Sequence, residues 1–425
     1  MNVADRKFFY GWFIVAASAV GICFGFVGTT VYAFSAFTLP LTEEFGWGRG
    51  AISFGMTLAH MTQIVVTPLF GFLIDKRGVR NPLLVSTIFF GIILCLFYFL
   101  NHDIWLFYLG MIMLTALGCG TSSVSYVRLL VTWFDKKKGL ALALGISGAG
   151  AGALILPPLV SWIIREGGWR DAYLTLGLVN LFVVVPIIYL VVRNSPADVG
   201  AYPDGAVPTR AESDARGAIY QQGLSFQECI RTATFWKLAL ATLLLGMALN
   251  GTVSQLIPML VDRGVPRQNA GTLAGLLGLS VIVARLVAGY LFDRFHAPFV
   301  AAGLLLCPVI GMLSLALSPG ETVAALTLIS IGIGLGVEFD ALGYFCAQYF
   351  GRVALGRIYG TLFVIFSVGG AVGSFLAGHS YDVFSSYVAL LFAAASMVLI
   401  ALVFTAVLGA YPKMDGVRGG QSQPA

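Results

Sequence analysis

The sequence predicts an all-α membrane protein: twelve transmembrane helices in two pseudo-symmetric six-helix bundles, with both termini cytoplasmic. Three observations carry that prediction. Of 425 residues, 58% are hydrophobic and 11% charged, and the mean hydropathy is +0.89; a soluble domain carries about a quarter charged residues. The uncharged runs approach the ~20 residues that a helix needs to cross ~30 Å of hydrocarbon. Two unrelated markers also recur at nearly one offset. Gly71-Phe72-Leu73-Ile74-Asp75-Lys76 returns 218 positions later as Gly289-Tyr290-Leu291-Phe292-Asp293-Arg294, and Trp133-Phe134 returns 216 later as Tyr349-Phe350. An internal duplication of that period suits a carrier whose substrate site lies between its halves.

Taken in order, the first apolar run, 10–37, is too long for a signal-peptide core and lacks a cleavage site, so it is read as a retained helix. Spans at 50–74, 82–101, 104–134, 139–165 and 170–193 complete the first bundle. They are continuously apolar, unlike the alternating strands of a barrel, and helices satisfy their own backbone in lipid. Residues 194–234 break the rhythm with Pro196, Asp198, Pro203, Asp204 and Pro208 and read as a cytoplasmic linker, with a short surface helix expected over 227–237. Spans at 235–262, 267–292, 297–318, 321–350, 356–381 and 386–411 form the second bundle. The expected units are therefore 1–193, 194–234 and 235–411, followed by a Gly- and Gln-rich tail, 412–425, expected to be disordered.

Loop charge sets the orientation. With the N-terminus inside, 18 Lys and Arg fall on cytoplasmic segments and 5 on outer loops (Arg49, Arg165, Arg170, Arg263, Arg267). That asymmetry is the positive-inside rule, so the net charge of +5 reports topology and not nucleic-acid binding. The six cysteines are scattered, without metal or disulfide spacing, and read as small apolar packing residues. No nucleophile–base–acid set and no Gly-x-x-x-x-Gly-Lys-Ser/Thr loop is present, so neither an enzyme nor an ATP-driven pump is expected, and no cofactor or metal.

Two groups of residues invite function. The first is the loop Gly71-x-x-x-Asp75-x-Arg77-Gly78-x-Arg80 with its echo Asp293-Arg294. Gly71 allows close helix packing, Gly78 turns a short loop, and Asp75 with its basic neighbours makes a charged latch that biases one of two conformations. The second is the set of ionised residues inside spans, Arg128, Arg285, Glu338 and Asp340. A charge in hydrocarbon costs several kcal/mol or more, so each must face protein or water and find a partner. Arg285 offers a bidentate fork for a carboxylate. Glu338 or Asp340 could carry a proton or neutralise Arg128. Hydroxyls of Tyr32, Tyr126 and Tyr344 and the amide of Asn250 are candidate substrate contacts. His60 is expected to be a hydrogen-bonded structural histidine.

The 71–80 loop resembles the signature of the major facilitator superfamily. Within it the chain resembles the bacterial branch of the monocarboxylate and oxalate–formate transporters. The resemblance rests on Tyr10-Gly11-Trp12, on Trp133-Phe134-Asp135-Lys136-Lys137-Lys138-Gly139-Leu140-Ala141, and on the small residues Gly145, Ser147, Gly148 and Gly152. Ala284-Arg285-x-x-x-Gly289-x-x-x-Asp293, Gly336-Val337-Glu338-Phe339-Asp340 and Gly356-Arg357-Ile358-Tyr359-Gly360 extend it through the second half. The resemblance implies that Arg285 holds the substrate carboxylate and that Asp75 docks on a helix start of the other half when the cytoplasmic mouth closes. Departures narrow the implication. Thr29-Thr30-Val31-Tyr32 stands where animal carriers have a lysine, Val281 where they have an aspartate, and 358–378 lacks the lysine of oxalate exchangers.

The expected function is secondary transport of a small organic monoanion, a monocarboxylate such as lactate or pyruvate, in symport with a proton by alternating access. The expected setting is the inner (plasma) membrane, as a monomer, with lipid, anion and proton as its partners. Anion exchange, a larger aromatic carboxylate as cargo, and a non-transporting membrane sensor are the alternatives.

Overall fold

Twelve helices among the described residues are long and apolar enough to cross a bilayer. The computed structural model describes residues 9–135, 137–205, 223–351 and 353–412, without the side chains at 293, 339 and 340. The first six spans are α1 (Gly11–Tyr32), α2 (Arg49–Arg77), α3 (Arg80–Phe99), α4 (Ile104–Trp133), α5 (Lys138–Gly167) and α6 (Trp169–Val191). The second six are α7 (Ala233–Ser254), α8 (Arg267–Phe292), α9 (Ala297–Leu317), α10 (Glu321–Phe350), α11 (Leu355–Phe384) and α12 (Val388–Ala406).

The starts and stops follow local chemistry. The Asp103 carboxylate accepts from Trp105 N at 3.0 Å to open α4, and the Thr232 hydroxyl accepts from Phe235 N at 3.2 Å to open α7. The latter splits the surface helix expected over 227–237: a single turn, Phe226–Cys229, ends before Thr232 begins a new helix. Gly78 ends α2 at φ +75°, where a side chain would also strike Asn194.

Spans one and seven are not the continuous helices expected. In α1 the helix breaks at Gly25, widens into a π turn over Val27–Tyr32, and continues beyond the span as a helix from Phe34 to Phe45. The backbone groups freed by the break find partners on neighbouring helices, as apolar surroundings require. Phe26 N donates to Thr121 Oγ1 at 3.0 Å, and Asn180 Nδ2 donates to Phe24 O at 3.0 Å. In α7 a wide turn over Gly246–Asn250 follows Ala233–Leu245, and a helix from Leu256 to Asp262 continues beyond the span. The turns end at Tyr32 and Asn250, 218 residues apart. The repeat therefore extends to these two turns, whereas the π turn Asn180–Val184 of α6 and the 3-10 turn Cys119–Thr121 of α4 have no counterpart in the continuous α12 and α10.

The halves meet along two seams, α2 with α11 and α5 with α8. Gly271, Gly275 and Gly278 bring α8 so near that a methyl group on them would strike Ser161, Leu154 or Ala153 of α5. This is the close-contact geometry that small residues permit in membranes. The linker is tied at both described ends. Asp204 accepts from Asp135 N at 2.8 Å, and Leu224 N donates to Phe350 O at 2.9 Å. Its middle, and the tail expected to be disordered, lie outside the described residues.

Candidate functional site

The helix bundle is sealed at one end. Arg49, at the start of α2, crosses to the other half, where its Nη1 lies 2.5 Å from Asp262 Oδ2 and 3.0 Å from Tyr387 Oη. Its guanidinium stacks over the Tyr381 ring, 3.6 Å from the centroid. The Asp382 carboxylate accepts from Arg49 N at 3.1 Å and Gly50 N at 2.8 Å, capping α2 from the partner half. Gln255 continues the network, accepting from Tyr387 Oη at 2.7 Å and donating to Ser53 Oγ. A second pair joins Arg267 of α8 to Glu43, with Nη1–Oε1 2.7 Å and Nη2–Oε2 3.1 Å. The two bridges are related by the repeat, since Arg49 and Arg267 stand 218 apart, as do Glu44 and Asp262, with Glu43 beside Glu44.

Glu44 itself turns inward to its own half, accepting from Trp169 Nε1 at 2.5 Å and Arg170 Nη1 at 2.6 Å. Burial pushes its carboxyl up, but the bonds from Trp169 and Arg170 prevail and hold it below the usual carboxylate range. A depressed folded value contributes stability that is present above the unfolded value and lost as pH falls through the folded one. Glu44→Gln is therefore expected to lose a little thermal stability near neutrality and to narrow its gap to the wild type below pH ~4. Melting curves across pH 3–7 check it.

The opposite end, where α2 and α8 finish, is open. A methyl group on Gly71, Gly289 or Gly360 would meet nothing within 4 Å. Gly71 is thus not the packing contact expected, because it faces open space while its neighbours Phe70 and Ile74 pack inward. Asp75 is not docked on the other half; it pairs with Arg128 of its own half at 2.8 Å. That corrects the expectation for Arg128. It lies near this end with a half-exposed side chain and pairs with the latch rather than with an acid of α10. Arg80 is held within its half by Asn194 and the Tyr189 carbonyl, and Arg77 is exposed. In the echo, Arg294 Nη1 donates to Tyr290 Oη at 2.7 Å. The side chain of Asp293 lies outside the described residues.

Between the two ends sits Arg285. It is half-buried, its Nε has no partner, and no described residue forms an ion pair with it. On α10, Glu338 is 5% exposed and neither of its carboxylate oxygens has a partner. Helices α8 and α10 touch at Gly336, which packs on Val281 and Ala284 and so brings the turns bearing Arg285 and Glu338 together. The half-buried Tyr32, at the end of the π turn of α1, lies within the fields of both. Asp340 was the other candidate acid, and its side chain lies outside the described residues.

The other expected contacts sit elsewhere. Tyr126 is fully enclosed in the first half, its hydroxyl against Gly21 of α1 and without a partner. Tyr344 Oη donates to Phe292 O at 3.2 Å, tying α10 to the end of α8, two turns beyond Arg285. Neither hydroxyl is offered to a ligand beside the guanidinium. Asn250 is buried beside Gly370 and His60 on the α2–α11 seam. His60 is not the hydrogen-bonded residue expected: both ring nitrogens are buried without a partner. The seal built on Arg49, Asp262, Asp382, Tyr387 and Gln255 was missed entirely. The signal for it in the sequence is the 218-residue offset, which links the outer-loop Arg49 to Arg267 and Glu44 to Asp262.

Comparison with known proteins agrees with this architecture. Residues 18–374 match the family described as Major Facilitator Superfamily. The chain is 25% identical over 405 residues to an uncharacterized MFS-type transporter, YcxA, of Bacillus subtilis, covering 90% of this chain and 91% of that protein. It is 28% identical over 303 residues to monocarboxylate transporter 12-B of Danio rerio, covering 67% of this chain and 62% of that one. Against the oxalate:formate antiporter of Oxalobacter formigenes the identity is 24% over 345 residues, covering 78% and 74%. Among solved structures, a bacterial homolog of the human lysosomal transporter Spinster, in an inward-facing and occupied conformation, superposes with TM-score 0.64 at 16% identity, covering 94% of each chain. With twelve apolar helices arranged as two six-helix halves, the chain belongs to the Major Facilitator Superfamily, a multi-pass membrane transporter and not an enzyme.

Proposed function

We propose that the protein carries a small organic monoanion, of the monocarboxylate class that includes lactate and pyruvate, in symport with a proton by alternating access across the plasma membrane. The observation that carries this reading is Arg285, without an ion-pair partner among the described residues, between a sealed and an open mouth. A guanidinium kept away from bulk water without a counter-charge is costly unless an anion visits it. A carboxylate docked on its fork gains two charge-assisted hydrogen bonds, with the Tyr32 hydroxyl beside them. Similarity to a monocarboxylate transporter and to an oxalate:formate antiporter supports a carboxylate as cargo. Glu338 is the proposed proton carrier. Enclosed, its carboxyl meets no donor on either oxygen, and the proposed cycle has it give up its proton where water reaches it in another state.

On the orientation that the loop charges favour, the sealed end faces outward and the open end faces the cytoplasm. The structure is then inward-facing, and Asp75 on Arg128 is its released latch. Exchange of one anion for another is the second reading, supported by the antiporter relative. Proteoliposomes separate the two. Symport predicts accumulation of labelled lactate or pyruvate driven by an imposed inward proton gradient with empty vesicles, whereas exchange needs an anion inside. Glu338→Gln is expected to lose proton-driven accumulation while retaining counterflow between two anion pools. Undiminished proton-driven accumulation in Glu338→Gln would remove that residue from the scheme.

A further inference from the structure

One face of α2 carries polar residues at 49, 53, 57 and 60, a spacing that places them in one stripe. The stripe lies along the α2–α11 seam, and three of its four rungs are bonded across it. Arg49 meets Asp262, Tyr387 and Asp382; Ser53 accepts from Gln255; the Thr57 hydroxyl donates to Ala371 O at 2.8 Å. The fourth rung is His60. It is 4% exposed and faces Gly370 of α11 and Asn250 of α7, with both ring nitrogens unpartnered.

We propose that His60 is a proton-sensitive gate of the sealed mouth: the seam closes only over the neutral imidazole, and protonation opens it. The neutral ring packs against Gly370 with one donor and one acceptor left unmet but no net charge to desolvate. An imidazolium there adds a second N–H donor and a positive charge beside the neutral Asn250 amide, with no counter-charge among the described residues, so it is stable only where water reaches it. The charged groups on the helices packed around it are remote. Along α2, Arg49 lies about 16 Å away and Asp75 about 22 Å away. On α7, Lys237 stands about 20 Å along the helix from Asn250, and Asp262 lies at the far end of the separate helix that follows, engaged by Arg49. On α11, Arg357, His379 and Asp382 stand about 14–20 Å from Gly370.

The sign follows directly. The sealed state binds no proton at His60 and the hydrated state does, so acidification favours opening. A proton on His60 therefore cannot ride through the sealed state. It admits the cargo, while any transported proton sits on another group. The inference does not depend on Arg285 as the anion site.

Spin-label pairs spanning the sealed mouth in nanodiscs, without anion, read the equilibrium between pH 8 and pH 5. The open-to-sealed ratio of the wild type is expected to rise with acid by up to about tenfold per pH unit, the limit for one linked proton. His60→Gln is expected to lose that slope while keeping the thermal shift that lactate gives the wild type. A wild-type slope in His60→Gln, or no slope in the wild type, overturns the gate. Absence of any lactate shift in both proteins would instead strike the Arg285 reading and leave the gate standing. A measurement on the unmodified protein guards against a folding defect in the variant. Exchange of the imidazole C2 hydrogen, followed by mass spectrometry, is expected to be slow at His60 near pH 8 relative to the exposed His102 and to accelerate on acidification. Equal exchange at the two rings near pH 8 would overturn the enclosure on which the gate depends.

Discussion

Arg285→Ala is expected to abolish uptake of the transported monocarboxylate while leaving the protein as stable as the wild type, or slightly more so. Both halves of that expectation come from one geometry. The guanidinium is half-buried, its Nε is without a partner, and no described acid neutralises it. Removing an uncompensated charge relieves desolvation, so the empty protein loses no structural pairing. The anion-bound protein loses its main anchor. Truncating one member of a desolvated, hydrogen-bonded charge pair costs about 2–5 kcal/mol, which corresponds to a weakening of roughly 30-fold to several thousand-fold. Arg285→Lys keeps the charge but not the planar fork, so it is expected to fall between the two. The check is paired: thermal stability with and without lactate, and uptake in proteoliposomes. A variant that melts well below the wild type with no anion present would show that the guanidinium is structural, and the carboxylate reading would fail with it.

The sequence exposed the fold through bulk properties that need no partner. Apolar run length defines a span because the bilayer thickness is fixed, and the linker showed itself through prolines and charge. Arg285 was legible because an arginine inside such a run has few bland explanations. What the sequence hid was which charges meet. Arg128 reads as a mid-membrane charge, yet it lies five residues before α4 ends at Trp133 and pairs there with Asp75 on the end of α2. Helix and residue type alone single out Tyr126 and Tyr344. Helix rotation decides what a hydroxyl faces, and it turned one against Gly21 and the other onto the Phe292 carbonyl. The wide turns of α1 and α7 were equally invisible, since a π turn needs only one extra residue and leaves hydropathy unchanged. Partner identity across 200 residues is a tertiary fact, and here only the repeat offset encoded it.

That offset leads to the second large effect. Arg49→Ala is expected to unseal the closed mouth, and Arg267→Ala is not, although the two bridges are related by the repeat. The difference lies in burial. The side chains of Arg49 and Asp262 are 10% and 25% exposed, whereas those of Arg267 and Glu43 are 50% and 59% exposed. An exposed pair contributes about 0–1 kcal/mol. Breaking a buried pair from one side costs about 3–5 kcal/mol, part of which returns here as water enters over the opened mouth. A net shift of about 3 kcal/mol changes a two-state ratio by more than ~100-fold, enough to depopulate the sealed state. Asp262→Asn is expected to act in the same direction but less strongly, since Arg49 keeps Tyr387, the Tyr381 ring and its backbone bond to Asp382. Label distances across this mouth read the equilibrium, and a double-mutant cycle between Arg49→Gln and Asp262→Asn reads the coupling. If Arg267→Ala opened the mouth as far as Arg49→Ala, burial would not be what makes one bridge the lock. The seal would then be a sum of surface charges, sensitive to salt in proportion to their number.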